Sequence, residues 1–296
     1  MQTITGTTKL LGVIGCPIEH SLSPVMHNAA IAAIAQTRQN SSRELDYVYL
    51  PFSIKPENLE AAIAGFAAIG VQGFSVTIPH KQAIRQYLAT ESAIAQSVGA
   101  VNTVWRTEQG WSGTNTDVEG FIAPLQNQKR DWSQTRAVIL GNGGAARAVV
   151  VGCAQLGCKE IHIVGRNQEN LNQFHNTWTN SPLSLPLTVH LWQEIPDLIA
   201  DTDLLVNTTP IGMHPHVHAS PIDAQVMAKL SPSAIAYDLI YKPNPTLFLQ
   251  QAQAQGASTI DGLEMLVQQG AAALKIWLQQ TPPVDVMRQA LQQHLG

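Results

Sequence analysis

Apolar and polar positions along this chain switch repeatedly between a period of two and a helical period. In GFSVTI (73–78), Phe74, Val76 and Ile78 alternate with Ser75 and Thr77, the pattern of a half-buried strand. LLGVIGCP (10–17) reads as strand and turn, and DYVYLPFSI (46–54), DLLVNTTP (203–210) and AIAYDLIY (234–241) as further strands. Between them lie helical stretches. SPVMHNAAIAAIAQ (23–36) predicts a helix with Ser23 as N-cap and Pro24 in its first position. PENLEAAIAGFAAIG (56–70) predicts one ending at Gly70, and GLEMLVQQGAAALKIWLQQ (262–280) a long one. A further helix is expected from about Pro79 to Leu88. RAVILGNGGAARAVVVGCAQLGCKEIHIVGR (136–166) reads strand, glycine turn, helix, strand. Alternating strands and helices predict an α/β architecture, and 296 residues suffice for two domains with separate cores. The second unit begins near residue 117.

Composition narrows the partners. A net charge of −4 argues against a nucleic-acid footprint. Cys16, Cys153 and Cys158 form no even framework and no CxxC pair, and read as buried thiols in a reducing, cytoplasmic compartment. The start, KLLGVIGCPI, has too brief an apolar run and too weak a positive flank for an export signal. Residues 61–80 carry no charge over a membrane-spanning length. Gly65, Gly70, Gln72, Gly73 and Pro79 interrupt that run, so helix, turn and strand explain it better than a membrane span. The alternating histidines of HPHVH (214–218) have no further ligands clustered nearby, and no metal is expected.

The glycine turn carries the first chemistry. Gly141, Gly143, Gly144 and Ala146 follow an apolar strand and open a helix, the order a dinucleotide pyrophosphate requires. Gly141 allows the tight turn, Gly143 lets the backbone approach the phosphates, and the helix N-terminus offers N–H donors. An NAD site would place a carboxylate at the end of the second strand; this chain has Gly165, Arg166 and Asn167. A guanidinium there pairs with a 2′-phosphate, which predicts NADP.

Other residues are suggestive singly. Ser21 and Ser23 at a helix start make a neutral receptor for an anion; Ser23 alone is more simply an N-cap, but Ser21 has no capping role in the sequence, which favours the anion. Asn102 in GAVNTV is equally a turn residue, and Asp117 in NTDVEGF equally a helix cap. Lys81 would stand in the first turn of its helix, where the dipole disfavours a cation. A lysine so placed suits a target that develops negative charge.

In their order, GCPIEHSLSPVMHN, GFSVTIPHK, GAVNTV, NTDVEGF, GNGGAARA, NTTPIGM, YDLIY and GLEMLVQQGA resemble the shikimate dehydrogenase family over nearly the whole chain. The resemblance implies NADPH-dependent, reversible reduction of 3-dehydroshikimate to shikimate, in chorismate and aromatic amino acid biosynthesis. It implies that Ser21 and Ser23 bind the substrate carboxylate, and that Thr77, Asn102, Asp117 and Gln269 hold the ring hydroxyls. Lys81 and Asp117 would be the catalytic pair and Tyr241 would line the substrate pocket. Gly141, Asn142, Gly143, Gly144, Ala145, Gly165, Arg166, Asn167, Thr208, Met213, Ile240, Gly262 and Met265 would contact the cofactor. His20, His27 and His80, beside these motifs, read as packing or hydrogen-bonding residues. The family fold implies two α/β domains with the active site in the cleft between them. One is a substrate-binding domain with a mixed sheet, 1–116 plus 262–296; the other is a Rossmann-type doubly wound NADP domain, 117–261. The partner is a small molecule, with neither nucleic acid nor membrane, and the chain is expected as monomer or homodimer.

The chain departs from the family pattern in places. Asn142 follows Gly141 where a small residue is usual, and Asn170 stands where a second arginine often follows, which weakens the 2′-phosphate clamp. Glu264 replaces a common glycine. Two rival readings are a quinate/shikimate enzyme with relaxed NAD/NADP use, which predicts an acid near 165 or 166, and a non-catalytic NADP-binding regulator, which predicts loss of Lys81 or Asp117.

Overall fold

The computed structural model describes residues 4–37, 46–126, 128–178 and 186–296. It contains two compact units, Met1–Thr116 with Val267–Gly296, and Asp117–Leu266. The later division falls inside the helix Gly262–Leu278 rather than at its start.

The first unit is built on a mixed sheet of β1 (Lys9–Gly15), β2 (Tyr47–Ser53), β3 (Gly73–Val76), β4 (Thr90–Glu91), β5 (Thr103–Thr107) and β6 (Gly110–Thr114). Their order across the sheet is β2-β1-β3-β5-β6-β4. β1 runs parallel to both β2 and β3, while β5 is antiparallel to β3 and β6. β3 is therefore central, and all four of its residues are buried. The half-buried strand expected through Ile78 ends at Val76, and Ile78 is 73% exposed. One face packs Phe66, Phe74 and Trp111 edge to face, with ring centroids 5.3 and 5.2 Å apart. On another side Trp277 lies so close to Gly73 that a Cβ there would meet its Nε1 at 2.3 Å. The same indole donates to Val104 O at 2.9 Å, which docks the long C-terminal helix on the sheet.

The second unit holds β7 (Arg136–Leu140), β8 (Glu160–Gly165), β9 (Leu187–Leu191), β10 (Leu204–Asn207), β11 (Ile235–Asp238) and β12 (Ser258–Ile260). All pair in parallel, in the order β12-β11-β10-β7-β8-β9, the doubly wound Rossmann arrangement. Strands covered on both faces become continuous apolar runs, and each residue of β10 and β11 is buried. Both end earlier than their apolar pattern predicted, leaving Thr208 and Tyr241 in the loops that follow.

Residues 61–80, expected as helix, turn and strand, are divided between the helix Leu59–Ala68 and β3. Among the described residues no helix is long and apolar enough to cross a membrane. The three cysteines are free; Cys153 and Cys158 are buried as expected, whereas Cys16, in the loop after β1, is only half-buried.

Candidate active site

In the first unit the site residues gather beyond the ends of β1 and β3. Thr77 leaves β3 and is held by its N–H donating to Ile14 O at 2.9 Å. Residues 77–82 then form turns rather than the expected helix, and only a short 3₁₀ segment, Ala83–Tyr87, follows. That segment buries Ile84 alone, too little apolar surface to hold a longer helix. Lys81 therefore does not face the dipole of an α-helix, and the electrostatic objection to a cation there disappears. Its carbonyl accepts from Val101 N at 2.8 Å, tying its turn to the segment that carries Asn102.

Asn102 is 3% exposed and its side chain is a junction. Its Oδ1 accepts from Thr116 N at 2.8 Å and Thr103 Oγ1 at 3.0 Å, and its Nδ2 donates to Thr116 Oγ1 at 3.0 Å. Nδ2 also reaches Gln269 Oε1 at 3.5 Å, so the C-terminal helix delivers Gln269 to the same place. Its backbone carbonyl accepts from Val76 N at 2.7 Å, beside Thr77.

Ser21 and Ser23 enter from the helix Ser23–Thr37. Ser23 is its first helical residue rather than its cap, and Ser23 N donates weakly to Ser21 Oγ at 3.4 Å. Ser21, which lacked a capping role in the sequence, thus has one. Beneath that helix the phenol of Tyr49 donates to Ser75 Oγ at 2.8 Å. Burial pushes the Tyr49 phenol up from its ordinary pKa.

In the second unit the candidates lie at the carboxyl ends of parallel strands, where open α/β sheets bind ligands. Gly141 has φ +105°, a conformation side chains avoid, and a Cβ there would meet Thr208 Oγ1 at 2.8 Å. Gly141 N donates to Val164 O at 2.8 Å, placing the glycine turn beside the end of β8 and its exposed Arg166. A Cβ on Gly143 or Gly144 would meet nothing within 4 Å, so open space stands before the start of the helix Gly144–Leu156. Open space there, a helix start aimed at it and an exposed guanidinium beyond it fit a pyrophosphate with a 2′-phosphate. Gly165, Asn142 and Ala145 complete the turn and its surroundings. Asn167 Oδ1 caps the helix Gln168–Asn176 by accepting from Asn170 N at 2.9 Å.

Thr208 Oγ1 donates to Leu140 O at 2.7 Å, and Met213 is 41% exposed in the next loop. Ile240 and Met265 are buried, and Gly262 packs so closely that a Cβ would meet Leu239 O at 2.1 Å. Tyr241 is half-buried and its phenol is pushed up by burial. Asp117 is the first residue of the helix Asp117–Gln126, not a residue before it, and its side chain is buried where the helix dipole favours an anion.

Comparison with known proteins decides the family. Residues 13–104 match the shikimate dehydrogenase substrate binding domain, 124–245 match shikimate / quinate 5-dehydrogenase, and 262–292 match the shikimate 5′-dehydrogenase C-terminal domain. A relative from Trichormus variabilis (strain ATCC 29413 / PCC 7937), named shikimate dehydrogenase (NADP(+)), is 66% identical over 99% of both chains. The chain belongs to the shikimate dehydrogenase family. A solved shikimate dehydrogenase in complex with NADP+ is 36% identical with a TM-score of 0.88, covering 99% of this chain and 98% of that one. The Listeria monocytogenes shikimate 5-dehydrogenase, solved with shikimate and NAD, is 34% identical with a TM-score of 0.86, covering 98% of this chain and 99% of that one.

The chain also carries polar residues that its sequence did not single out. Asn207 and Asp238 end β10 and β11, and Asn207 Nδ2 donates to Asp238 Oδ1 at 3.0 Å. Asp238 accepts further from Ile240 N at 3.1 Å and Thr246 Oγ1 at 2.7 Å, while Asn207 Oδ1 accepts from Thr209 Oγ1 at 2.7 Å. Burial pushes the Asp238 carboxyl up to about 6 despite these bonds. The knot orders the loops that hold Thr208, Met213 and Ile240. Its one sequence signal was a polar residue closing each apolar strand. Tyr49 and Thr116 had none: Tyr49 reads as an ordinary core aromatic, and Thr116 as loop. Of the histidines, His80 is buried with a ring nitrogen 2.6 Å from Ile54 O, and His27 is buried against Tyr49.

Proposed function

We propose that this chain catalyses the NADP-dependent, reversible reduction of 3-dehydroshikimate to shikimate. The observation that carries the reading is the convergence of Thr77, Lys81, Asn102 and Gln269 in one unit, in a chain of this family. The substrate presents a carboxylate, ring hydroxyls and a ketone. Ser21 and Ser23 receive the carboxylate, and Thr77, Asn102, Asp117 and Gln269 hold the hydroxyls, with Tyr241 against the ring. Gly141, Gly143, Gly144 and Ala145 cradle the cofactor's pyrophosphate, and Arg166 pairs with its 2′-phosphate. Thr208, Met213, Ile240, Gly262 and Met265 shape the nicotinamide end.

NADPH, when bound, supplies a hydride. Lys81 stabilises the negative charge that develops on the ketone oxygen and delivers a proton to it, and Asp117 acts with it on the same substrate. The free thiols support a reducing, cytoplasmic setting, and the chain acts on its small-molecule substrate as monomer or homodimer.

Purified protein mixed with NADPH and 3-dehydroshikimate should consume the nicotinamide absorbance. Lys81→Ala should lower kcat by about 10² to 10⁴ while shikimate binding weakens only modestly. Absence of turnover by the unmodified chain would favour a non-catalytic NADP-binding protein, and near-normal turnover by the variant would remove Lys81 from the chemistry.

A further inference from the structure

Lys81 stands in a turn, so no repeating helical ladder of hydrogen bonds fixes the direction of its side chain. Its place depends on separate bonds to neighbouring segments. Before it, Ile78 O accepts from Cys16 N at 3.0 Å, and its own carbonyl accepts from Val101 N at 2.8 Å. After it the hold is slight: Gln82 and Ala83 are exposed, and the 3₁₀ segment that follows buries Ile84 alone.

His80, the residue just before the lysine, is 1% exposed and closes the turn twice. Its backbone N–H donates to Thr77 O at 2.9 Å. Its Nε2 lies 2.6 Å from the carbonyl oxygen of Ile54, the residue that follows β2. A carbonyl oxygen can only accept, so Nε2 carries the hydrogen and donates it. Ile54 is fixed in turn by its N–H, which donates to Gly15 O at 3.0 Å at the end of β1. The imidazole thus fastens the turn to the ends of two sheet strands. Releasing it would strip a buried carbonyl of this partner, which makes the anchor costly to undo.

We propose that His80 is a positioning residue for the reaction: through its bond to Ile54 O it holds the backbone from which Lys81 acts on the substrate oxygen. The inference rests on the reading that Lys81 handles the proton. His80 itself touches neither substrate nor cofactor. A proton-transfer group displaced by about 1 Å can lose about 10²-fold in rate. The carboxylate and the ring hydroxyls are received by other residues, so the loss falls on kcat rather than on KM.

The test uses the full chain with shikimate and NADP+, followed at the nicotinamide band. His80→Gln keeps an N–H donor on a chain that can reach Ile54 O, whereas His80→Met has similar length and no donor. His80→Met should lower kcat by about tenfold to a hundredfold and leave KM for shikimate within about threefold. His80→Gln should keep kcat within about threefold of the unmodified chain, because the bond is restored. Added to Lys81→Ala, His80→Met should lower kcat by less than about threefold further, because the group it positions is already gone.

If His80→Met turns over like the unmodified chain while Lys81→Ala does not, the positioning role is wrong and the reading of Lys81 stands. If Lys81→Ala turns over normally, that reading fails and takes the positioning role with it. Equal losses in His80→Met and His80→Gln would assign the effect to packing and overturn the proposal. A His80→Met loss that persists in full without Lys81 overturns it too. If His80→Met does not fold, His80→Asn, whose amide is too short to reach Ile54 O, replaces it; a kcat equal to that of His80→Gln would then overturn the role of the bond.

Discussion

Asn102 and Thr116 exchange hydrogen bonds in both directions: Thr116 N donates to Asn102 Oδ1 at 2.8 Å, and Asn102 Nδ2 donates to Thr116 Oγ1 at 3.0 Å. The pair locks the end of β6 onto the turn that precedes β5, immediately before Asp117. Asn102→Ala would strip a buried N–H and two hydroxyls of their partner. The expected cost is about 2–4 kcal/mol in urea unfolding, together with a raised KM for shikimate. Thr116→Val keeps the N–H bond and should cost about 1 kcal/mol. Equal losses in the two variants would show that Asn102 is no junction.

Gly141 and Gly143 should separate fold from cofactor. Gly143 has φ −86°, which any residue adopts, and its missing Cβ points into open space. Gly143→Val should leave Tm nearly unchanged and raise KM for NADPH by at least about tenfold, because the new side chain fills the space where the phosphates approach. Gly141→Ala should instead destabilise the protein by about 1–3 kcal/mol, since its φ of +105° suits glycine alone. Thermal melts beside cofactor titrations check both, and an unchanged KM in Gly143→Val would move the cofactor elsewhere.

Arg166 is the exposed cation after β8. Arg166→Ala should raise KM for NADPH by about tenfold and leave KM for NADH within about twofold, because only NADPH loses a charge-assisted bond. Asn170, in place of a second cation, predicts a modest preference for NADPH even in the unmodified chain. Equal effects on the two cofactors would assign Arg166 to a general surface role.

His27 should make the fold acid-sensitive. Burial lowers its pKa to about 3, and among the described residues neither ring nitrogen has a hydrogen-bond partner. The unfolded chain binds that proton near pH 6.5, so between about 6.5 and 3 it holds more protons than the folded chain. Stability from His27 is therefore complete above pH 6.5 and is lost progressively as pH falls toward 3. His27→Phe keeps an aromatic ring on Tyr49 and removes the titration. The unfolding free energy of the unmodified chain, relative to this variant, should drop by several kcal/mol from pH 7 to pH 4. A difference that stays flat over this range would contradict the buried, neutral imidazole.

Much of this protein is legible in one dimension. Period-two and helical patterns, the glycine turn with its strand and helix, and Arg166 where a carboxylate would mark NAD all depend on neighbours within a turn or a strand. They suffice for two α/β units and a dinucleotide site. The same local logic failed after Pro79, where a helical pattern with only Ile84 to bury became turns and a short 3₁₀ segment. It also mistook β3 for a half-buried strand, since covering both its faces is the work of distant elements such as the helix that carries Trp277.

Tertiary structure alone chose the polar partners that shape the site. Tyr49 finds Ser75 26 residues away, Asn207 finds Asp238 31 away, and Asn102 finds Gln269 167 away. Periodicity tells which way a side chain points relative to its neighbours in sequence. Strand order and register decide which distant hydroxyl, amide or carboxylate it meets, and a buried polar group must meet one because leaving it unpaired costs more than most single contacts contribute.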